Sequence, residues 1–415
     1  MFELVSTRLK SVGLSIVCIT VAVCVLRPSL LAQPHTRLIA SAQESSSSSM
    51  TDAVPSEQAC QARANETPEK LLECIQQSSL WNHLAQFQKI ANEHKGSDGH
   101  GYRDTGTPGY KASVDYVAGL VQQAGYHVTI QPYQINASEV TRTPKFSMPD
   151  QGYALMRDWL AAPLSGQPIV DYNVIAESPF GDRNHVVVVD AHLDSIYGAG
   201  MLDNASGSTT ILEIALNMAK TPTHNQLRYI WFGGEELGLL GSAYYTTNLS
   251  SAERKRIAFD IDMDVTATPN FDIWIADPTF AYNVNQFPPN VVPQSKIGNQ
   301  FFRDFFNAFG VVSQSSSFGN SGTDSNSFSL IGIPDSGILT RQDCCKGQAE
   351  VDIWGGFLGN YEGTVPGNDG GCVDYPDRWC DNLSNNDPFV LGLASKASAY
   401  VTLKLANHVF KVNQP

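Results

Sequence analysis

Two apolar runs constrain this chain more than anything else in it. Val186-Val187-Val188-Val189-Asp190-Ala191 ends on His192-Leu193-Asp194, and Leu227-Arg228-Tyr229-Ile230-Trp231-Phe232 ends on Gly233-Gly234-Glu235-Glu236. Short β-branched and aromatic runs bounded by turn residues read as strands buried on both faces. From Tyr172 to about residue 265, such runs alternate with helical patterns, which predicts an α/β fold whose largely parallel sheet is covered on both faces. Ligands of open α/β sheets sit at the carboxyl ends of the strands. Two strands that end on a histidine and on paired acids therefore predict an active site in the crevice between them.

The residue types at these ends suit a metal hydrolase. His192 is followed by Asp203, which opens Asp203-Asn204-Ala205-Ser206-Gly207-Ser208, a polar turn leading into a helix predicted over 210–219. An imidazole and several carboxylates can hold zinc, and a carboxylate such as Asp203 can bridge two ions. Two ions roughly 3.5–4 Å apart polarise a carbonyl and activate a shared water. Asp194 is two residues from His192, so it could accept the other ring N–H and fix the tautomer. Of the adjacent pair Glu235-Glu236, one can bind metal while the other stays available as a general base. A third strand predicted over 257–265 carries Asp262 and Asp264 among apolar residues. Acids there are costly unless paired or metal-bound, so one of the two is a further ligand candidate. Each fragment alone is also explained as a solvated acid at a strand end, but that reading leaves their combined order unexplained.

Composition narrows the setting. The 415 residues carry a formal charge of −14, with no basic surplus to neutralise phosphates, which argues against nucleic-acid binding. No G-x-S-x-G turn and no phosphate-cradling loop is present. Arg8 and Lys10, the apolar stretch 12–26 and Ala40-Ser41-Ala42 predict a signal peptide over 1–42. The apolar stretch is short of the ~20 residues of a membrane span, and no later run is read as one. The expected protein is exported (secreted, periplasmic or extracellular) and off the membrane once the signal is cleaved. A flexible linker is expected over 43–64 and one catalytic domain over 65–415. Six cysteines remain after the signal: Cys60, Cys74, Cys344, Cys345, Cys372 and Cys380. An even count in an exported chain suggests disulfides. Proximity favours Cys60–Cys74 and Cys372–Cys380, with Cys344-Cys345 a vicinal bridge or two thiols. Helices are also predicted over 65–95, 113–124, 299–309 and 387–410, a strand over 126–135, and an elaborated loop over 137–170.

Many ordered motifs then resemble one family, the secreted co-catalytic zinc aminopeptidases of the Streptomyces and Vibrio type. They are Arg103-Asp104-Thr105-Gly106-Thr107-Pro108-Gly109-Tyr110, Tyr172-Asn173-Val174-Ile175-Ala176-Glu177, Ala191-His192-Leu193-Asp194-Ser195, Asp203-Asn204-Ala205-Ser206-Gly207, and Phe232-Gly233-Gly234-Glu235-Glu236-Leu237-Gly238. The resemblance implies a single-domain three-layer α/β/α sandwich with a mostly parallel mixed central sheet. It implies two zinc ions, one held by His192 and a strand acid and the other by Glu236, with Asp203 bridging and Glu235 the general base. Matching Asp264-Val265-Thr266-Ala267-Thr268-Pro269-Asn270 to the family pattern selects Asp264 over Asp262. Two departures stand out. Relatives place a histidine three residues before Cys380, where this chain has Asp377; Asp377 is the expected substitute, with Asp374 or an incomplete second site as alternatives. Tyr375 is the candidate carbonyl-polarising hydroxyl. In Ser321-Gly322-Thr323-Asp324, Gly322 stands where Streptomyces-type relatives have an arginine that helps hold the substrate terminus. The implied activity is removal of N-terminal residues, apolar ones foremost, from peptides with a free N-terminus, by a monomer. The alternatives are a single-zinc glutaminyl-cyclase-like or carboxypeptidase-like activity, or a non-catalytic binding scaffold.

Overall fold

Eight strands form one mixed sheet in the computed structural model, which describes residues 54–96, 99–136, 168–316, 322–342, 345–362 and 380–410. In chain order the strands are β1 (His127–Ile135), β2 (Ile169–Glu177), β3 (Asp182–His192), β4 (Asn225–Phe232), β5 (Ile257–Met263), β6 (Trp274–Ala276), β7 (Gln314–Ser316) and β8 (Asp335–Leu339). They lie in the order β1-β2-β4-β3-β5-β8-β6-β7. The four central strands, β4, β3, β5 and β8, are mutually parallel, and β1, β2 and β6 bring in the antiparallel pairings. From β3 the chain crosses to β4 on one side and then to β5 on the other. The carboxyl end of β3 is thus a topological switch point, where open sheets place their ligands.

The three-layer α/β/α architecture follows from how the central strands divide their side chains. Val187, Val189 and Ala191 of β3 join Phe259, Ile261 and Met263 of β5 in the larger core, beneath the helices Gln77–Glu93, Ser206–Met218 and Pro388–Ala406. Val186 and Val188 face the other way, with Ile230, Phe232, Tyr245 and Phe328 under the helices Leu240–Thr247 and Ser325–Leu330. Both faces of β3 are dry, which is why its sequence is a continuous apolar run instead of an alternating one. Fully burying each such Val or Phe contributes about 1.5–3 kcal/mol. The helix Ser206–Met218 is buried at every position, so it holds its N-terminal turn rigidly against the sheet.

Several boundaries differ from the sequence expectation, each for a local reason. The helix expected from 113 is Pro108–Ala124, because the Thr107 side chain accepts from Tyr110 N and Pro108 occupies its first turn. The helix expected from 210 begins at Ser206, and the one expected from 299 spans Val291–Ala308. Pro293 falls in that helix's first turn, where its missing N–H costs nothing. The terminal helix Pro388–Ala406 is long and apolar enough to cross a membrane, contrary to the expectation that no later segment is, but most of it is buried in the larger core. The short strands β6, β7 and β8 were not foreseen.

Residues 54–64 belong to the fold rather than to a linker. The helix Glu57–Gln61 buries Cys60, and Asn65 donates to the carbonyls of Cys60 (3.0 Å) and Asn217 (2.7 Å). The expected Cys60–Cys74 disulfide is present, and Cys345 and Cys380 are disulfide-bonded too. Residues 1–53, 137–167, Cys344 and Cys372 lie outside the described residues. With Cys60 and Cys74 separated by 14 positions, loop closure predicts that the Cys60→Ser/Cys74→Ser pair lowers unfolding stability by about 3 kcal/mol, read from denaturant melts.

Candidate active site

The carboxyl ends of β3, β4 and β5 meet where the chain puts its acids. His192 closes β3, Glu235-Glu236 follows β4 in a turn, and Asp264 follows β5. Asp203 lies in the irregular turn Met201–Ala205, just before the buried helix. Ligating atoms of His192, Asp203 and Glu236 all lie within 4.8 Å of one another, and all three side chains are buried. His192 Nε2 is 2.8 Å from Asp203 Oδ1 and 3.7 Å from Asp264 Oδ1.

The donor set fits a metal cation. His192 Nε2, Asp203 Oδ1 and Asp264 Oδ1 are buried, yet none of these atoms makes a hydrogen bond. The first two face each other at 2.8 Å without hydrogen-bond alignment, as donors do when both point at a third centre. That spacing is roughly what two ligands each about 2.0–2.2 Å from one zinc ion would show. Burial disfavours a charged imidazole, but the carboxylates of Asp194, Asp203 and Asp264 outweigh it and hold the His192 pKa well above its ordinary value. Burial and the neighbouring Asp264 raise Asp203. Like charges gathered this closely away from water favour a compensating positive charge, which a metal cation would supply.

Asp194 joins the two halves of the site. His192 Nδ1 lies 3.1 Å from the Asp194 carbonyl and 3.5 Å from its carboxylate, so the ring nitrogen facing away from Asp203 is occupied by this residue. The same carboxylate accepts from Thr105 Oγ1 (2.8 Å) and from the backbone N–H groups of Glu235 (3.3 Å) and Glu236 (3.4 Å). Thr105 Oγ1 also accepts from Gly234 N at 3.2 Å. Gly234 has φ +63, a left-handed conformation that suits glycine and turns the chain so that both glutamates leave the end of β4.

Asp203 is positioned by three separate clamps. The fully buried Arg103 guanidinium donates to the carbonyls of Leu193, Ala199 and Gly200, and the Asp104 carboxylate accepts from Ser195 Oγ and the N–H groups of Tyr197 and Gly198. Burial outweighs those donors and pushes Asp104 up to about 7. Asp381 accepts from the N–H groups of Leu202 (2.7 Å) and Asp203 (3.1 Å). Asn204 receives Gly207 N (2.8 Å) and donates to the Met263 carbonyl (2.8 Å), tying the helix start to the end of β5. A Cβ on Gly207 would lie 2.0 Å from that carbonyl, so only glycine lets helix and strand approach this closely.

The structure thus brings His192, Asp194, Asp203, Glu235, Glu236 and Asp264 together. Asp262, the alternative strand acid, accepts from Ser325 N at 3.2 Å, and burial raises its pKa to about 7. Asp374, Tyr375 and Asp377 lie outside the described residues. The sequence reading missed the positioning work of Arg103, Thr105 and Asp381. For Arg103 and Thr105 the available signal was their place in a motif; the partners of Arg103 and Asp381 are backbone groups up to 179 positions away, and that of Thr105 is the Asp194 carboxylate.

A mixed sheet between two helical layers, with a buried histidine and carboxylates gathered at its switch point, defines a three-layer α/β/α scaffold with a candidate metal centre. The Peptidase family M28 model matches residues 173–400, more than half of the chain, and the chain belongs to that family. It is 31% identical over 324 residues to Leupeptin-inactivating enzyme 1 of Streptomyces exfoliatus, covering 77% of this chain and 59% of that protein. It is 33% identical over 232 residues to an aminopeptidase of Pseudomonas aeruginosa, covering 56% of this chain and 40% of that one. It therefore spans about half the length of these curated relatives. The fold is shared with a zinc aminopeptidase from Bacillus subtilis at a TM-score of 0.56 and 16% identity, over 80% of this chain and 96% of that one.

Proposed function

We propose that the chain is an exported zinc-dependent aminopeptidase that removes N-terminal residues, apolar ones foremost, from peptides. The observation that carries this reading is the buried convergence of His192, Asp203 and Glu236 within 4.8 Å. Bound there, zinc supplies an electrophile for the scissile carbonyl and lowers the pKa of water. His192 and Asp264 would hold one ion and Glu236 a second, with Asp203 placed to be shared between them. Asp377 is proposed as the remaining ligand and Tyr375 as a carbonyl-polarising hydroxyl. Glu235 is the general base: its carboxylate takes a proton from the attacking water and delivers it to the leaving amine. Asp194 orients His192 and the Glu235-Glu236 turn together. The free N-terminal ammonium of a substrate suits so acidic a site.

The apolar preference rests on the resemblance to the zinc aminopeptidases, since the small cavity beside Asp264 is lined by Asp262, Ser316 and Thr323 as well as by Ala276, Ile338 and Leu339. Export rests on the predicted signal over 1–42 and on the Cys60–Cys74 bridge, since disulfides persist in oxidising compartments. The test is hydrolysis of aminoacyl-p-nitroanilides by the mature chain, stripped of metal and titrated with zinc. Cleavage of the leucyl substrate restored at about two equivalents is expected. Restoration at one equivalent would reduce the centre to a single ion, and no hydrolysis with any metal would overturn the reading.

A further inference from the structure

We infer that Arg341 binds a carboxylate of the substrate on the leaving-group side of the scissile bond, an inference that rests on the aminopeptidase reading above. Arg341 lies at the carboxyl rim of the sheet. Thr340 N donates to the Val265 carbonyl at 2.8 Å, one residue past Asp264, and Leu339 lines the cavity that also contains Asp264. At about 3.3 Å per residue of extended chain, Arg341 starts roughly 7 Å beyond Leu339, which is within reach of a short peptide held at the acids.

Its guanidinium is held between aromatic rings and lies near enough to the buried Asp272 carboxylate to favour its charged form, without closing an ion pair with it. The group lies 4.1 Å from the Trp274 ring centre and 4.9 Å from that of Tyr361, so aromatic faces restrict its plane and leave its edge for hydrogen bonding. Along that edge its one hydrogen bond is a long contact of 3.5 Å from Nη2 to Tyr361 Oη, and Nε is buried without a partner. Arg341 makes no ion pair among the described residues, whereas Arg228 pairs with Glu177 at 2.6 Å and Arg103 is consumed by three carbonyls. Its backbone is left-handed, with φ +75, and its carbonyl is held there by Thr268 Oγ1. A long side chain in that conformation costs of order 1–3 kcal/mol, which persists only where the surroundings over-determine it.

With Nε buried, it is the Nη1–Nη2 edge of this fixed guanidinium that can meet a carboxylate bidentately. In a chain of net charge −14 with acids crowding the site, it is also the group that would make an anionic substrate end acceptable. The carboxylate can be the C-terminus of a di- or tripeptide, or an Asp or Glu side chain after the scissile bond.

The experiment compares kcat/KM of the zinc-loaded chain for Leu-Ala against Leu-Ala-amide, and for Leu-Glu-amide against Leu-Gln-amide. Wild type is expected to favour the carboxylate member of at least one pair by about tenfold or more, as for a charge-assisted hydrogen bond. Which pair shows it identifies the source. Arg341→Gln and Arg341→Gly are expected to abolish that ratio and Arg341→Lys to restore part of it; glycine suits the left-handed backbone and guards against misfolding. A ratio near one in wild type, or one unchanged in the variants, overturns the assignment. Calorimetric binding of Leu-Ala and its amide to zinc-loaded Glu235→Gln reads the same ratio without turnover. Absence of leucyl-p-nitroanilide hydrolysis would instead count against the aminopeptidase reading.

Discussion

Glu235→Gln is expected to lower kcat by ~10²–10⁴-fold while zinc content stays that of wild type. The amide keeps the volume of the carboxylate but cannot take a proton from water. The turn itself is held by main-chain groups: Glu235 N and Glu236 N donate to Asp194, and the Glu235 carbonyl accepts from Gly238 N (2.8 Å) and Leu239 N (2.9 Å). The substitution therefore leaves Glu236 where it was. Because the loss is confined to the transition state, kcat and kcat/KM should fall together with KM little changed. Metal analysis alongside steady-state kinetics separates this outcome from loss of the centre. Activity within a few-fold of wild type would remove Glu235 from its role.

His192→Ala should act at the earlier step and abolish zinc retention itself. The imidazole is the only nitrogen ligand in the buried group of His192, Asp203 and Glu236, and without it the site is all carboxylate, which suits harder cations than zinc. In wild type, zinc at 100 times its dissociation constant should stabilise the fold by about 2.7 kcal/mol, visible as a raised Tm. The variant should show no zinc-dependent shift and no hydrolysis above the chelator-treated background. A zinc-induced shift equal to that of wild type would show that the ion sits elsewhere. Asp194→Asn, which spares the ligands but disturbs the partner of His192 Nδ1, should weaken metal affinity by about 10–100-fold.

The sequence by itself determined the fold class, the central strands and which histidine and acids gather at the carboxyl edge of the sheet. Runs such as 186–191 and 227–232 can be stable only when buried on both faces, which forces a covered parallel sheet, and the residues that end them sit by topology at its ligand-binding edge. Helix starts were less legible, since Thr107-Pro108 reads equally well as loop and as cap until Tyr110 N is seen donating to the threonine. The short strands β6, β7 and β8, of three to five residues, carry too few positions for a period to show.

Tertiary structure alone decided how the ligands are held. The Arg103 and Asp104 clamps, the grip of Asp381 on the Asp203 backbone and the reach of Asp194 across to the glutamates all use main-chain partners. Every residue offers the same N–H and carbonyl, so no side-chain pattern announces such bonds in advance. The same holds for Arg341, whose place between Trp274 and Tyr361 depends on strands and loops brought together only when the sheet forms.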